Sequence, residues 1–412
     1  MVFHGPFRSG LAVCVGVMAE GAFGLVPPDI SQTDYLANIP ATNSARFNAT
    51  LPPGGAFPLV EKNVSTGVSI GSVVYVRGSS MSIRYRIRNR NDILLHVHFK
   101  FTEPKYERKN YPGVDIALGG SDDEEFTIAA GQYHDVTVSV TGLTNYVTLG
   151  WLKTKINIDS EAGGIVSTGP TREEFVYLTD AQPLAPLAVP WTEVLDDACN
   201  WADGQVGDAD CAYYSTFGLF FSQKFAYNSG TYQFPTNWVD ENWLFLLTNF
   251  VNYQGYRSGN CVDVSAYLHL SLCSIGADSI LTQLYGGTQY PVFVTNPICP
   301  IGSDPDSPPS GYVMLGWSMH QICRAQGATY DSCLALQFDP AGAAYENPPA
   351  GWTPDGHWQS PAENPQFGVV KRYGATTDFF GTEQNPNQLL DPSLPSEVVP
   401  RVELEVELAG IN

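Results

Sequence analysis

A series of short β-strand patterns between Gly67 and Asp180 constrains the fold more than any other feature of this sequence. Apolar and polar residues alternate in Ser82–Arg88 and again in Asp135–Val140, as in strands with one buried and one solvated face. Gly, Asn, Asp and Pro separate the runs, as they do in turns. The pattern therefore predicts an antiparallel β-sandwich. The strands are predicted at Val68–Arg77, Met81–Arg88, Ile93–Phe101, Phe126–Ala130, His134–Val140, Val147–Ile158 and Phe175–Thr179.

The number of these strands indicates the type of sandwich, and the chain length indicates further domains. Seven strands in about 110 residues are typical of the immunoglobulin-like type. A chain of 412 residues is too long for one core. We expect a leader at residues 1–25, an extended N-terminal segment at 26–60, the sandwich at 61–180, a linker at 181–190, a second domain at 191–385 and a tail at 386–412.

After residue 190 the sequence changes from a strand period to a helical period. Three prolines in Asp180–Pro190 mark the linker. Helical spacing follows in Trp191–Trp201, in Asn242–Tyr253 and after Asn260, whereas Tyr213–Tyr227 is aromatic-rich without a clear period. Helices first and strands afterwards predict an α+β domain. The later strands are predicted at Ser279–Tyr285, Tyr290–Thr295, Tyr312–Ala325 and Thr329–Phe338.

Charge and hydropathy narrow the class of partner. The 42 acidic and 21 basic residues give a net charge of −21, which argues against nucleic acid or an anionic membrane surface as the main partner. No run reaches the roughly 18 apolar residues of a membrane-spanning helix, so none is expected. Arg8 before the run Leu11–Met18 resembles a weak secretory signal, which Glu20 and the short run oppose. The location stays open, with a secreted or cell-envelope protein slightly favoured over a cytoplasmic one.

The cysteines are candidates for disulfide bonds, and two polar clusters of the sandwich are candidates for metal sites. The sequence has no CxxC pair among its eight cysteines, which argues against a structural zinc site. Cys199 and Cys211 flank a polar loop and are the expected disulfide if the protein is exported. His96 and His98 share a strand face, but no third ligand is recognisable, so a solvated face is favoured over a metal pair. Ser121–Glu125 is expected to form an exposed acidic turn rather than a calcium loop.

Cys261 stands where a nucleophile would be expected, at the predicted start of a buried helix. Asn260 fits an N-cap, and Asp263 three residues later fits its capping partner. The free N–H groups and the positive end of the helix dipole favour a thiolate there. Gly276 fits the C-terminal stop. A small buried hydrophobic residue is the alternative interpretation of Cys261, so its role depends on a nearby base.

His320 is the histidine that is best placed to act as that base. His269 lies eight residues along the same helix, about 12 Å from the thiol. The other histidines fall in the leader, the sandwich or a Trp/Pro/Gly-rich loop, and they are His4, His96, His98, His134 and His357.

The acid that would orient His320 is expected on the returning strand of a hairpin. A two-residue turn at Gln326-Gly327 would place His320 opposite Cys333 and diagonal to Asp331, within reach of a hydrogen bond. The rival Asp339 would lie roughly 20 Å along the strand. A three-residue loop would shift the register and move Asp331 to the other face. The alternative interpretation of these residues is that Asp331 is a surface acid next to the turn and His320 a satisfied core residue.

These residues resemble a known family. Their order along the chain is similar to that of the transglutaminase-like family of the papain-like cysteine enzymes. The order is Gly259-Asn260-Cys261-Val262-Asp263 at a helix start, Gly276-Ala277-Asp278 before a strand, then a His on a strand and an Asp in a hairpin. The similarity covers roughly residues 240–340. It implies Cys261 as nucleophile, His320 as base and Asp331 as its orienting acid. The sequence departs from the family at Gln321, where an aromatic residue is usual, and in its short hairpin.

The resemblance implies chemistry that needs no cofactor and no metal. Thiolate Cys261 would attack an amide or ester carbonyl and form a thioester, which water or an amine resolves. The Cys261 N–H and one upstream donor, Gln254 or Trp243, are the oxyanion candidates. We therefore expect a thiol-dependent peptidase, amidase or acyltransferase that acts on protein or peptide. The alternatives are a binding protein with a vestigial triad and an envelope component.

The C-terminal tail carries one further strand pattern. Apolar and acidic residues alternate from Val402 to Leu408. Such a strand must add to a sheet edge, either of its own chain or of another, and the second alternative would produce self-association.

Overall fold

The computed structural model describes the chain in ranges separated by gaps. The ranges are residues 28–36, 62–63, 68–69, 73–160, 165–168, 172–188, 190–222, 224–228, 233–235, 244–253, 257–285, 298–301, 319–326, 328–337, 367–369, 402–406 and 410–411. Strands predominate over helices in them, so the fold is β-rich.

The part of the chain before residue 180 forms a β-sandwich. The strands in this part of the chain are β1 (Asp29–Leu36), β2 (Lys62–Asn63), β3 (Val68–Ser69), β4 (Val73–Val76), β5 (Met81–Arg88), β6 (Leu95–Arg108), β7 (Asp115–Ala117), β8 (Asp122–Ile128), β9 (Tyr133–Val140), β10 (Thr148–Ser160), β11 (Ile165–Thr168) and β12 (Arg172–Thr179). β2 and β3 form a separate two-stranded sheet, and the other strands form the two sheets of the sandwich. One sheet has the order β1-β5-β9. The other has the order β4-β12-β10-β6-β7, with β8 added to β6 and β11 to β10. Pairing is antiparallel in both sheets except between β12 and β4.

The sandwich core lies between these sheets and follows the predicted alternation. Every second residue of β5, from Met81 to Ile87, is buried. The ring of Tyr85 on this strand contacts Phe99 and Phe101 of β6, with centroid distances of 5.8 Å and 6.2 Å. The predicted bounds of β5 are confirmed, because a half-buried strand shows its period in the sequence.

The prediction of an exposed acidic turn at Ser121–Glu125 is wrong, since Asp122–Glu125 begin β8. The acids of this strand lie next to basic groups of neighbouring strands. Asp123 forms an ion pair with His98 on β6, and Glu124 lies 3.5 Å from His134 on β9. Cross-strand ion pairs of this kind replace the apolar pattern on a solvated face.

Part of the extended N-terminal segment predicted at residues 26–60 also belongs to the sandwich. β1 pairs with β5 from Asp29 to Leu36 and buries Ile30 and Thr33. The sequence of β1 is mostly polar because an edge strand is held largely by backbone hydrogen bonds, which leave no hydrophobic period.

Four helices are described after residue 190. They are α1 (Thr192–Trp201), α2 (Asp208–Phe221), α3 (Leu247–Asn252) and α4 (Cys261–Ser274). Every residue of α4 is buried, as its continuous apolar sequence predicts. α1 and α2 pack on α4, and they approach each other so closely that a Cβ on Gly218 would lie 2.1 Å from the Trp201 ring. No described helix is long and apolar enough to span a membrane.

A four-stranded sheet flanks α4. The strands after residue 220 are β13 (Phe225–Tyr227), β14 (Leu244–Phe245), β15 (Arg257–Gly259), β16 (Ile280–Tyr285), β17 (Ile298–Pro300), β18 (Met319–Ala325), β19 (Ala328–Tyr330), β20 (Leu334–Gln337), β21 (Phe367–Val369), β22 (Val402–Val406) and β23 (Gly410–Ile411). The sheet has the order β19-β18-β16-β22. The terminal strand β22 thus pairs with β16 of its own chain. Self-association through this strand stays a prediction.

Two predicted elements are shorter than expected. The helix predicted at Asn242–Tyr253 is confined to α3, because β14 before it pairs with β23 at the end of the chain. The strand predicted at Thr329–Phe338 is divided into β19 and β20 by bends at Ser332 and Cys333, since β20 pairs with β17 and β21 in a different sheet. Both changes depend on distant partners that a local pattern does not reveal. The strand predicted at Tyr290–Thr295 lies outside the described residues.

The sandwich and the helical region share a continuous hydrophobic core. Val147, Leu149 and Tyr177 of the sandwich belong to the same buried cluster as α1 and α4. The backbone after β12 contacts the end of α4, where Gly276 has a φ of +76°. A Cβ there would lie 2.5 Å from the carbonyl carbon of Ala181, so the contact requires glycine. The proline-rich segment therefore begins against α4.

Candidate active site

Cys261 is the first residue of α4, and a capping box holds the start of this helix. The Asn260 side chain accepts a hydrogen bond from the N–H of Val262 at 2.9 Å, and the Asp263 carboxylate accepts one from the N–H of Asn260 at 2.9 Å. The predicted cap is therefore confirmed. These two bonds do not use the N–H of Cys261, which lies at the positive end of the helix dipole.

Asp263 also ties a separate segment to the helix start. Its second oxygen accepts hydrogen bonds from the N–H groups of Gln233 and Phe234, at 3.0 Å and 2.8 Å. Burial raises the pKa of Asp263 to about 6, although its backbone hydrogen bonds act in the opposite direction. One buried carboxylate thus ties the backbone just before the thiol to the segment at Gln233 and Phe234.

The structure brings Cys261, His320 and Asp331 together. Nε2 of His320 lies 2.7 Å from Oδ2 of Asp331, and the Cys261 side chain lies close enough to the imidazole to raise its pKa. All three residues are buried, and Cys261 is the most exposed of them at 4%. The carboxylate is hydrogen-bonded to the imidazole, and the thiol lies beside the ring.

The charges around His320 favour its protonated form. Burial alone lowers the pKa of this imidazole, but the Asp331 carboxylate and the Cys261 side chain both raise it, and the result is about 10. His320 therefore carries a proton at neutral pH in the folded protein. An imidazolium in contact with a thiol stabilises the thiolate, which is the reactive form of cysteine.

The hairpin has the register that a two-residue turn predicts. Cys323 pairs with Tyr330, and Ala325 pairs with Ala328. Asp331 follows the last paired residue, and its second oxygen accepts a hydrogen bond from the N–H of Cys333 at 2.9 Å. This bond holds the carboxylate towards His320. The chain bends there, so the ladder ends before Cys333 would pair with His320.

Several predicted candidates lie outside the described residues. They are the oxyanion candidates Gln254 and Trp243, the rival acid Asp339, and the histidines His4 and His357.

His269 belongs to a different cluster at the other end of α4. Its Nδ1 lies 2.9 Å from the Ser279 hydroxyl, and its Nε2 lies 3.7 Å from Sγ of Cys273. Burial lowers the pKa of His269 to about 4. This histidine is therefore neutral at pH 7.

The predicted disulfide between Cys199 and Cys211 is wrong, because both are free thiols in the core. Their side chains fill the packed interior of α1 and α2 as small apolar groups do.

The histidines of the sandwich make surface contacts. His96 is exposed, and His98 is paired with Asp123. Within the ranges that the structure describes, no three His, Cys, Asp or Glu side chains are arranged to hold a metal ion.

A buried polar chain beside the thiol was missed by the sequence analysis. The amide of Gln321 donates to the hydroxyl of Ser265 at 2.9 Å, and this hydroxyl donates to the carbonyl of Cys261 at 2.6 Å. The available signals were a serine four residues after the cysteine and a glutamine directly after the histidine. Neither indicates a contact until the helix is packed on the strand.

Comparisons with known proteins give no family for this chain. No family model and no curated protein matches it. The solved structures that match include a family 123 glycoside hydrolase from Clostridium perfringens (8% identity, TM-score 0.22, covering 39% of this chain and 28% of that chain). They also include the PapD-like domain 7 of human CEP192, with 10% identity and a TM-score of 0.18, covering 26% of this chain and 78% of that chain. A third is the cupredoxin domain of amoB from Nitrosocaldus yellowstonii, with 10% identity and a TM-score of 0.17, covering 36% of this chain and 86% of that chain. TM-scores this low carry no argument about fold or function.

Proposed function

We propose that this chain is a thiol-dependent acyl-transfer enzyme that acts on amide bonds of proteins or peptides, as a cysteine peptidase, an amidase or a transglutaminase-type enzyme. The observation that carries the proposal is the meeting of three side chains at the start of a buried helix, where Asp331 binds the imidazole of His320 and Cys261 lies beside that ring. The finer architecture that we propose is an immunoglobulin-like sandwich followed by a transglutaminase-like, papain-like α+β domain.

The reaction begins with the proton on His320, and Cys261 attacks in its thiolate form, which is the reactive form of cysteine. The sulfur attacks the substrate carbonyl, a C–S bond forms, and the carbonyl electron pair moves to oxygen. When this pair returns, the C–N bond breaks and His320 gives its proton to the leaving amine. The product is a thioester on Cys261. Asp331 keeps the imidazole oriented throughout.

The second half of the cycle returns the proton. Water or an amine attacks the thioester and gives a proton to His320. Collapse of the intermediate breaks the C–S bond and releases an acid or a new amide, and Cys261 leaves as thiolate. The N–H of Cys261 is our first oxyanion donor, because the capping box does not use it. Gln254 and Trp243 remain the candidates for the second.

Substitution of the thiol tests this function. We expect Cys261→Ala to abolish casein hydrolysis and amine incorporation, which are measured side by side so that the favoured reaction is identified. Rapid iodoacetamide labelling at pH 6 should disappear in the same variant. Cys211→Ala is the matched control, since it removes another buried thiol, and it should leave both activities and the labelling intact. Activity that survives in Cys261→Ala would sink the proposal.

A non-catalytic binding or envelope-assembly protein with a vestigial transglutaminase-like domain is the second candidate. The observation that favours it is burial, because His320 and Asp331 are 1% and 2% exposed. A buried imidazolium–carboxylate pair also occurs as a purely structural element. Slow, uniform labelling of all thiols in the wild type, together with no turnover of either substrate, would support this candidate over the enzyme.

A further inference from the structure

Buried amide and hydroxyl groups link the four-stranded sheet to the first turn of α4. Nε2 of Gln283 donates to Oε1 of Gln321 at 2.9 Å. Gln321 donates to Ser265 at 2.9 Å, and Ser265 donates to the carbonyl oxygen of Cys261 at 2.6 Å. The three side chains are 3%, 0% and 4% exposed, in the same order. The chain of hydrogen bonds ends on the backbone of the residue that bears the thiol.

This arrangement is a costly way to fill a core. Buried amides are unfavourable unless their hydrogen bonds are made, and a connected chain of such bonds tolerates little displacement. A serine that bonds to the carbonyl four residues earlier does not favour the helix over an apolar residue. Apolar side chains of similar size would pack here without these demands. Precise placement of the first turn is therefore what the polar chain contributes.

The placement matters because consecutive residues of β18 reach the same cysteine. α4 packs on β18, so His320 lies beside the Cys261 side chain, and Gln321 reaches the Cys261 carbonyl through Ser265. The strand therefore places the imidazole next to the thiol and also holds the backbone of residue 261. This backbone attachment fixes the distance between sulfur and imidazole more tightly than the packing of α4 alone.

We propose that Ser265 and Gln321 are positioning residues that set the contact between the Cys261 sulfur and His320. This inference rests on the proposed acyl-transfer function. Neither residue touches the reacting atoms. Their loss changes the distance across the thiol–imidazole pair, and a misplacement on the order of 1 Å reduces rates by about 10²-fold.

The test compares two variants of equal shape. Ser265→Thr keeps the hydroxyl, whereas Ser265→Val replaces it with a methyl group. We expect Ser265→Thr to retain most of the wild-type kcat and Ser265→Val to lose roughly 10- to 100-fold, with KM unchanged in both. Alkylation of Cys261 by iodoacetamide, measured from pH 5 to pH 9, should keep its low-pH reactivity in Ser265→Thr. In Ser265→Val the profile should shift towards that of an unassisted thiol.

Ser271→Val is the matched control. The Ser271 hydroxyl donates to the carbonyl of Tyr267 at 2.8 Å, which is the same bond in the same buried helix, more than one turn away. This variant should lose stability without a change in the alkylation profile. Equal effects of Ser265→Val and Ser271→Val, or equal kinetics of the two Ser265 variants, would overturn the inference.

Gln321→Met gives a second route if the Ser265 variants do not fold. It removes the amide at nearly constant size and should shift the alkylation profile as Ser265→Val does, and a wild-type profile would contradict the inference. Cys261→Ala separates the two proposals. If that variant stays active, the acyl-transfer function fails. If only Cys261→Ala loses activity, the function stands and the positioning role fails.

Discussion

The two ends of α4 each place a cysteine beside a histidine, yet one imidazole is charged at neutral pH and the other is not. At the first turn Cys261 contacts His320, whose pKa is raised to about 10. At the last turn Cys273 contacts His269, whose pKa is lowered to about 4. Both imidazoles are buried among the same helix and sheet. Burial acts in the same direction on both, so another group must account for the difference.

That group is the carboxylate of Asp331. His320 binds it directly, whereas the bonded partner of Nδ1 in His269 is the neutral hydroxyl of Ser279. Burial also raises the pKa of the Cys273 thiol to about 12, so this end holds a neutral pair at pH 7. A buried histidine beside a cysteine is therefore protonated at neutral pH only when a carboxylate compensates for the cost of burying the imidazolium.

Removal of that carboxylate should produce the largest effect. In Asp331→Asn we expect the pKa of His320 to fall below neutrality, as for His269, because burial then acts without compensation. The thiol would lose its charged partner, and kcat should fall by roughly 10³-fold or more. NMR titration of the imidazole and steady-state kinetics measure the two effects.

Asp278→Asn is the control for this substitution, since Asp278 is exposed just beyond the other end of α4. It should leave kcat and the pKa of His320 unchanged. If Asp331→Asn retains more than a tenth of the wild-type kcat, the contrast between the two ends does not depend on the carboxylate.

The sequence predicted the elements of the site that depend on local geometry. The capping box at Asn260 and Asp263 follows from a three-residue spacing, and the register between Cys323 and Tyr330 follows from a two-residue turn. Both the helix cap and the hairpin are closed by neighbours in the chain, so short patterns are sufficient to specify them. The contact between His320 and Asp331 depends on that register.

The features that the sequence did not predict depend on packing between distant segments. Ser265 and Gln321 meet only because α4 lies on β18. β14 replaces part of a predicted helix because the end of the chain pairs with it. The acids of β8 were interpreted as a turn, since their basic partners lie on strands that are remote in sequence. Such contacts leave no period and no spacing in the local sequence.

The second largest effect, after that of Asp331→Asn, is expected for His269→Gln, which should change how the free energy of unfolding depends on pH. The pKa of His269 is lower in the folded protein, at about 4, than the roughly 6.5 of an unfolded chain. Its neutral form is therefore favoured by folding, so stability is complete above pH 6.5 and is lost as the pH falls towards 4. The wild type should lose up to about 3 kcal/mol of unfolding free energy from this group, and the glutamine variant should not.

Urea denaturation at pH 7, 6, 5 and 4 measures this difference. Asp263 and the other carboxylates titrate in both proteins, so the difference between the two curves isolates His269. We expect the unfolding free energy of the wild type to fall more steeply with decreasing pH than that of His269→Gln. Parallel falls in the two proteins would show that the neutral pair at the last turn of α4 does not resist protonation.

Ser279→Ala should have the smallest effect, and its effect should be confined to stability. The variant removes the hydroxyl bound to Nδ1 of His269 at 2.9 Å and leaves a buried polar atom without that partner, at a cost of about 1–3 kcal/mol. Cys273 at this end of α4 lies twelve residues beyond Cys261, about 18 Å along the helix axis, so kcat should stay within about twofold of the wild type. Thermal unfolding and casein hydrolysis, measured on the same preparation, test both expectations. A large loss of activity with little loss of stability would mean that the two ends of α4 are coupled. The Cys273–His269 pair would then affect catalysis and could not be compared with the Cys261–His320 pair as a purely structural one.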